Sequence, residues 1–223
     1  MDKKALIAGA TGLIGRELVR LILEKNYYQE ITILTRRELD IKDNRLKVVI
    51  IDDFDFLEDF DQYFDAQDVY CLLGTTMKKA GSKEAFRKID LDYPLKMAEL
   101  AAKKPSFEKF LLVTSLGANS ASPLFYNKVK GELEDRVADL DLKSLKIFRP
   151  SLLIGFREEV RVIEEIGKIV SSFFSFFMIG SRRRLWTIEG RDVAKAMIIV
   201  ATTYDEGKEV FSSNDILNIV HNR

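Results

Sequence analysis

Three side chains in this sequence have the types and spacing for proton transfer at neutral pH. Tyr126 and Lys130 stand four residues apart in Tyr126-Asn127-Lys128-Val129-Lys130, and on a helix that spacing stacks them on one face. A free phenol titrates near about 10, and an adjacent ammonium favours its ionised form and tunes it toward useful proton transfer. Ser115 closes the run Val113-Thr114-Ser115 and offers a hydroxyl to a substrate oxygen. A Tyr-x-x-x-Lys spacing is common by chance, so the trio gains weight only beside a second feature.

That feature is Gly9-Ala10-Thr11-Gly12-Leu13-Ile14-Gly15, set between an apolar run and the amphipathic stretch that begins at Arg16. Bare glycine backbone at the junction of a strand and a helix lets a pyrophosphate approach the first helical amides and the positive end of the helix dipole. Gly9, Thr11, Gly12, Leu13, Ile14 and Gly15 are therefore expected to cradle a dinucleotide. The next apolar run ends in Thr35-Arg36-Arg37, where an acidic residue would select a ribose 2′-hydroxyl. Arg36 and Arg37 instead offer planar forks of donors suited to a 2′-phosphate, so NADP is the expected cofactor and NAD the less favoured one. Glu38 stands close enough to complicate that field.

The elements that must position these groups follow from short apolar runs at 5–8, 31–34, 48–51, 69–73, 110–113 and 145–148. Several are apolar at successive positions, the signature of parallel strands covered on both faces. Helical periodicity separates them, with Leu18, Leu21 and Ile22 on one stripe and Val129, Leu133 and Val137 on another. The expected fold is α/β: a Rossmann-type, doubly wound parallel sheet whose ligand crevice lies at the carboxyl ends of the strands. Helical periodicity over 82–103 is interrupted by Pro94, which predicts a kink or a fresh start there. After Pro150 the pattern predicts a helix over 157–180, strands near 185–187 and 209–211, and a helix over 191–203. The chain is read as one nucleotide-binding domain over 1–223, with 151–223 holding a small substrate-side elaboration that covers the crevice.

Taken together, Gly9, Gly12 and Gly15 followed in order by Ser115, Tyr126 and Lys130 resemble the short-chain dehydrogenase/reductase superfamily over nearly the whole chain. Further matches are Asp52-Asp53, Leu73-Gly74-Thr75-Thr76 and Arg149-Pro150-Ser151-Leu152-Leu153-Ile154-Gly155. The resemblance implies that Asp53, Leu73, Gly74, Thr75, Thr76, Pro150 and Leu153 line the adenine, ribose and nicotinamide. Cys71-Leu72-Leu73-Gly74-Thr75-Thr76, Lys79-Ala80-Gly81-Ser82 and Lys88-Ile89-Asp90-Leu91-Asp92-Tyr93 look like the atypical, NADPH-binding Tat-interacting-protein subgroup. By that resemblance Tyr126 is a general acid, Lys130 holds the nicotinamide ribose and lowers the tyrosine's pKa, and Ser115 orients a carbonyl. Asp90 departs from the pattern, since many extended relatives carry Asn there, so their Asn-based proton relay does not transfer. The implied function is carbonyl reduction or alcohol oxidation on a small molecule. An NADPH-sensing interaction protein without turnover is the alternative from another class. A nucleotide-sugar epimerase or dehydratase ranks lower because the part after Pro150 is short.

Composition narrows the remaining classes. The chain has 223 residues, with 35 Lys and Arg balancing 35 Asp and Glu, so no bulk field draws nucleic acid. Cys71 and His221 are each the only residue of their type, which removes disulfide frameworks, Cys/His zinc sites and nearly every Ser-His-Asp triad. Met1-Asp2-Lys3-Lys4 begins no basic-apolar-cleavage pattern, and the apolar stretch at 169–179, broken by serines, is short of a membrane span. A cytoplasmic location without stable membrane insertion is expected, and exposed apolar helices leave a homodimer open. Two further features invite partners: eight acidic residues over 52–68 interleaved with aromatics, and the Phe-rich 173–178 ahead of three arginines. The first is read as an amphipathic helix and loop with its rings inward and carboxylates in water, the second as pocket wall or subunit contact. Cys71 is assigned to core packing.

Overall fold

The computed structural model describes residues 3–154 and 187–222. Its centre is a seven-stranded parallel sheet in the order β3-β2-β1-β4-β5-β6-β9. The strands are β1 (Lys4–Ala8), β2 (Glu30–Thr35), β3 (Leu46–Ile50), β4 (Asp68–Cys71), β5 (Lys109–Val113), β6 (Ser144–Arg149) and β9 (Gly207–Ser212). Two short strands, β7 (Leu152–Ile154) and β8 (Thr187–Glu189), pair in parallel as a separate ribbon. The order reverses between β1 and β4, which is where an open sheet of this kind forms its ligand crevice.

Unbroken apolar runs become buried strands because each face of the sheet has its own core. On one face, Ile7, Ile33, Leu111 and Phe148 pack with Leu18 and Ile22 of α1 (Leu13–Lys25), Val193 and Met197 of α6 (Gly190–Thr203) and Ile216 of α7 (Ser213–His221). On the other, Leu6, Leu34, Val69 and Leu112 pack with Met97 of α4 (Tyr93–Ala102) and Leu133 of α5 (Phe125–Ala138). Residues after 187 complete this architecture: β9 pairs with β6 as the edge of the main sheet, and α6 lies against α1. The helix expected over 157–180, and the Phe-rich 173–178 with its arginines, lie outside the described residues. The strand expected near 185–187 is β8, and a helix in the last turn of the chain, α7, had no forecast.

Pro94 acts where its chemistry requires. It lacks the N–H that would bond the carbonyl of Asp90, and the helix that starts as α3 (Lys83–Arg87) widens into a π-turn over Lys88–Asp92 before resuming as α4. The Tyr93 N–H reaches back to the Lys88 carbonyl, one residue further than an α-helix allows.

The acidic 52–68 stretch keeps the amphipathic division expected of it, but as a 3-10 run: Phe54 and Phe64 are buried and Phe60 and Tyr63 pack on the core. Phe54–Phe64 forms a 3-10 run broken at Phe56 and Phe60, and its Phe56 is 62% exposed while Phe54 and Phe64 are buried. Most of its carboxylates are exposed, as expected, and three of them also meet lysines. Asp55, Glu58 and Asp61 pair with Lys88, Lys96 and Lys104, so the segment is stitched along the π-turn and α4.

Asp68 departs furthest from that expectation, being 1% exposed at the start of β4. The Tyr28 hydroxyl donates to it at 2.7 Å and also meets the Tyr70 hydroxyl at 2.7 Å, with the Lys3 ammonium 4.0 Å away. Burial pushes the Asp68 carboxyl above its ordinary value of 3.8, against the opposing pull of Tyr28 and Lys3. A carboxyl that binds its proton more tightly in the folded chain stabilises the fold fully below that ordinary value and loses the contribution as pH rises through the folded one. Urea unfolding of Asp68→Asn beside the native chain is expected to move in the variant's favour as pH is raised from about 4 to about 7. The gain is about 1.4 kcal/mol for each unit by which the carboxyl is raised. A stability difference that stays constant across that range rejects this account.

Candidate functional site

The carboxyl ends of β1, β4, β5 and β6 meet along one edge of the sheet, and the loops that leave them carry most of the residues expected from the sequence. After β1, Gly9 turns the chain at φ +89°, and a Cβ there would lie 2.4 Å from the Leu72 carbonyl oxygen. Gly15 is filled in the same sense, since its Cβ would lie 2.2 Å from the Gly9 oxygen and 2.7 Å from the Ala10 Cα. Gly12 is different: a Cβ there would meet only the Gly9 oxygen, at 3.3 Å, a tight contact rather than an overlap. Gly9 and Gly15 thus permit two close backbone crossings, and Gly12 leaves the approach to α1 bare. That helix starts with no side-chain cap and no acidic residue in its first turn, so its leading amides face the opening without a competing acceptor. Thr11 is exposed, Leu13 is half-buried and the Ile14 side chain is in the core, so Ile14 has only its amide to offer a ligand.

One contact at this loop was missed in the sequence. Gly190, the first residue of α6, packs so tightly on Leu13 that a Cβ would fall 2.1 Å from Leu13 Cδ2. A glycine opening a helix was the available signal, but nothing local tied it to a segment some 180 residues earlier.

After β2, the Thr35 hydroxyl donates to the Arg37 carbonyl at 3.1 Å and accepts from its N–H at 3.3 Å, fixing the turn that presents Arg36 and Arg37. Both arginines are exposed, and no carboxylate among the described residues pairs with either. After β3, the Asp53 carboxylate accepts from the Asp55 N–H at 2.9 Å and from the Tyr93 hydroxyl at 3.3 Å, which holds it at the start of the 3-10 run. After β4, the loop Leu73-Gly74-Thr75-Thr76 leads into α2 (Met77–Ala80), which Thr76 caps by accepting from the Lys79 N–H at 3.2 Å.

Tyr126 lies in the first turn of α5 and Lys130 one turn on, as the four-residue spacing predicts. Tyr126 is 40% exposed, with its ring centroid 5.6 Å from that of the buried Phe86. Lys130 is 3% exposed, and its ammonium lies 2.7 Å from the carboxylate of Asp90, itself 1% exposed on the π-turn. The other Asp90 oxygen accepts from the Thr75 N–H at 2.8 Å. Burial pushes the Asp90 carboxyl up from its ordinary value, with Lys130 and Thr75 opposing. Burial alone would lower Lys130; Asp90, helped by Tyr126 and Cys71, more than offsets it and holds the ammonium above its ordinary range. The Cys71 thiol, wholly buried at the end of β4, is pushed up to about 12 by burial, in keeping with a packing role.

Ser115 follows β5. Its loop is held by the Thr114 N–H donating to the Phe148 carbonyl and the Leu116 N–H to the Pro150 carbonyl, both at 2.9 Å. The Ser115 Oγ is buried and has no hydrogen-bond partner among the described residues. A buried hydroxyl without a partner costs free energy, and a ligand oxygen would relieve that cost. Pro150 is buried and Leu153 half-buried beside the core.

A second network stands behind the trio. The Thr114 hydroxyl donates to Glu134 at 2.6 Å, and Arg149 makes a forked pair with the same carboxylate through Nε, at 3.0 and 3.1 Å, and Nη2. Glu134 continues the stripe of Tyr126 and Lys130 by one more turn, so the three strand and helix ends that bear the site are tied together. The spacing of four was the signal in the sequence; the partners were not legible.

The chain matches the family model described as NAD(P)H-binding over residues 9–145. It belongs to that family. A rat relative, the protein HTATIP2, is 38% identical over 171 residues, covering 75% of this chain and 69% of its own. The mitochondrial protein FMP52 of Debaryomyces hansenii is 33% identical over 205 residues, 89% of this chain and 87% of its own. Among solved structures, MoeE5 in complex with UDP-glucuronic acid and NAD superposes with a TM-score of 0.69 at 16% identity, covering 94% of this chain and 75% of that one. A Thermotoga maritima UDP-glucose 4-epimerase gives 0.66 at 16% identity, covering 94% and 76%. These structures share the fold, while the family model and the HTATIP2 relative bear out the nucleotide-binding resemblance read from the sequence. The glycine cradle and the Ser115 hydroxyl, which has no partner among the described residues, fit a bound nicotinamide nucleotide with its substrate. No described helix is long and apolar enough to cross a membrane.

Proposed function

We propose that this protein is an NADP-dependent oxidoreductase that reduces the carbonyl of a small, uncharged molecule, or oxidises the corresponding alcohol. The observation that carries the reading is a buried Ser115 hydroxyl without a partner among the described residues, on the same sheet edge as a phenol and a charged lysine one helical turn apart. An interaction protein that only senses its cofactor has no physical need for that set.

When bound, NADPH supplies the hydride. The residues that hold it are the amides of Leu13, Ile14 and Gly15 and the bare edge of Gly12 at the pyrophosphate, with Thr11 beside them. Arg36 and Arg37 take the 2′-phosphate, Asp53 the adenine, and Leu73, Gly74, Thr75, Thr76, Pro150 and Leu153 the ribose and nicotinamide. Ser115 Oγ donates to the carbonyl oxygen and orients it, and the Tyr126 hydroxyl delivers a proton to that oxygen. Lys130 stabilises the phenol's charge as the proton leaves and reaches the nicotinamide ribose. From Thr114 to Asn127 the chain has no charged residue, while Leu116, Leu124 and Tyr126 are all exposed there. An uncharged segment between Ser115 and Tyr126 favours an uncharged substrate over a nucleotide diphosphate.

Cofactor choice is testable by itself. Arg36→Glu is expected to weaken NADPH binding by roughly tenfold to a hundredfold and NADH binding by less than about threefold, read by cofactor fluorescence titration. Equal losses for the two would remove the 2′-phosphate assignment. The partner is thus a small molecule; nucleic acid and the membrane have no part in this reading, a homodimer is compatible with it, and the protein is taken as cytoplasmic.

A further inference from the structure

We propose that the substrate of this site carries a hydrocarbon tail: it is an aldehyde or ketone whose apolar chain lies on a rim made by Leu116 and Leu124, beside the reacting carbonyl at Ser115. The inference rests on the oxidoreductase reading of Ser115, Tyr126 and Lys130, and narrows its uncharged substrate to an apolar one.

The rim is built by a loop that doubles back on α5. The Ser115 carbonyl accepts from the Ala118 N–H at 3.1 Å, closing a tight turn whose second residue is the exposed Leu116 and whose third, Gly117, has φ +84°. A Cβ at Gly117 would lie 2.9 Å from Asn127 Nδ2, and the Asn119 N–H donates to the Asn127 carbonyl at 3.0 Å, so the turn is held against the start of α5. Further along that helix, a Cβ at Gly131 would fall 2.1 Å from the Ser120 nitrogen, which leaves the loop tightly seated. The Leu116 N–H is fixed on the Pro150 carbonyl at 2.9 Å. Leu116, next to Ser115, and Leu124, two residues ahead of Tyr126, are thus presented by backbone that packing and hydrogen bonds hold in place.

Neither leucine suits its local position. Exposed turns favour Pro, Asp, Asn and Ser, and a helix N-cap favours Ser, Thr, Asp or Asn, whose side chain bonds a leading amide. Leu124 is the N-cap of α5, makes no side-chain bond to the helix and is 44% exposed, while Leu116 is 40% exposed. Of the eight large hydrophobic side chains exposed among the described residues, these two and Tyr126 fall within residues 116–126. A local preference broken twice beside one candidate site, with the side chains left in water, marks residues that serve a ligand. The chemistry of that ligand follows from what surrounds them. No residue from Thr114 to Asn127 is charged, so the rim offers no counter-charge to an ionised tail. Two leucines offer no hydrogen bond to a sugar's hydroxyls, but they shield a hydrocarbon chain from water.

The experiment follows NADPH consumption by the native chain with straight-chain aldehydes from propanal to decanal, and with glyceraldehyde as a polar counterpart. The kcat/KM is expected to rise by about twofold to fourfold for each added methylene, mainly through KM, until the tail outruns the rim. In the doubly substituted Leu116→Ser, Leu124→Ser chain, the ratio of kcat/KM for decanal to that for propanal is expected to fall at least about tenfold. Serine suits both local positions and its hydroxyl can cap α5, so this variant is expected to melt no lower than the native chain. A native chain that reduces propanal, decanal and glyceraldehyde alike overturns the proposal and leaves the oxidoreductase reading standing. So does a double variant that keeps the native ratio, and one that melts well below native makes the leucines packing residues and overturns the proposal too. A native chain that reduces none of these aldehydes sinks the oxidoreductase reading, and binding then decides the rim. Nile red, an uncharged apolar fluorophore, is expected to bind the native chain, to be displaced by 1-decanol and not by glycerol, and to bind the double variant at least about tenfold more weakly. Nile red that 1-decanol does not displace, or that binds both chains equally, overturns the proposal.

Discussion

Tyr126→Phe is expected to lower NADPH-dependent carbonyl reduction by about a hundredfold to ten-thousandfold, the range in which a positioned general acid acts. Cofactor affinity and melting temperature are expected to stay close to native. The reason is geometric: the ring of Tyr126 packs at 5.6 Å from Phe86, a contact that phenylalanine preserves, and the residue as a whole is 40% exposed. Nothing structural depends on that oxygen among the described residues, so the change removes one proton donor and little else. A panel of aldehydes and ketones, followed by loss of NADPH absorbance, provides the measurement. Turnover that survives the substitution would remove the catalytic assignment of Tyr126, and with it the main support for the oxidoreductase reading.

The glycine loop makes the second large prediction, because its members are not equivalent. Gly9→Ala places a methyl 2.4 Å from the Leu72 oxygen and 2.5 Å from its carbon, in a backbone conformation at φ +89° that L residues avoid. Neither chain can retreat: β1 and β4 are paired through Ala8 and Cys71, and the Leu72 N–H donates to the Ala8 carbonyl at 2.9 Å. Backbone strain and overpacking together are expected to cost at least about 3 kcal/mol in urea unfolding. Gly12→Ala meets only the Gly9 oxygen, at 3.3 Å, and is expected to fold with stability within about 1 kcal/mol of native. Its methyl instead occupies the approach to the helix amides, so NADPH affinity falls by at least about tenfold. Two variants that lose stability alike, or a Gly12→Ala chain that binds NADPH normally, would contradict the division of roles.

What could be read before the structure was local. Six apolar runs became strands; in five of them the strand is covered on both faces and so is apolar at nearly every position, while β3, at the sheet edge, is half-exposed. The glycine spacing and the four-residue step from Tyr126 to Lys130 are of the same kind, set by the geometry of one turn and one helix. Pro94 was equally legible, since a missing N–H breaks a helix wherever it falls. The acidic 52–68 stretch was legible as a solvated face with most of its rings inward, whereas its pairing with Lys88, Lys96 and Lys104 was not, because those partners lie more than thirty residues away.

The sequence by itself determined the fold class, the glycine cradle, the arginine turn after β2 and the order of Ser115, Tyr126 and Lys130. Each depends on contacts between near neighbours in the chain. Only the tertiary structure decided that Asp90 meets Lys130, that Glu134 joins Thr114 to Arg149, that Gly190 closes on Leu13, and that Asp68 is buried with two tyrosines. Those pairings span 15 to 177 residues and come from strand order and helix packing, which bring together ends that no local periodicity relates. A buried charge has no signature in composition, because its sign is visible in the chain but the counter-charge that makes it tolerable is chosen by the fold.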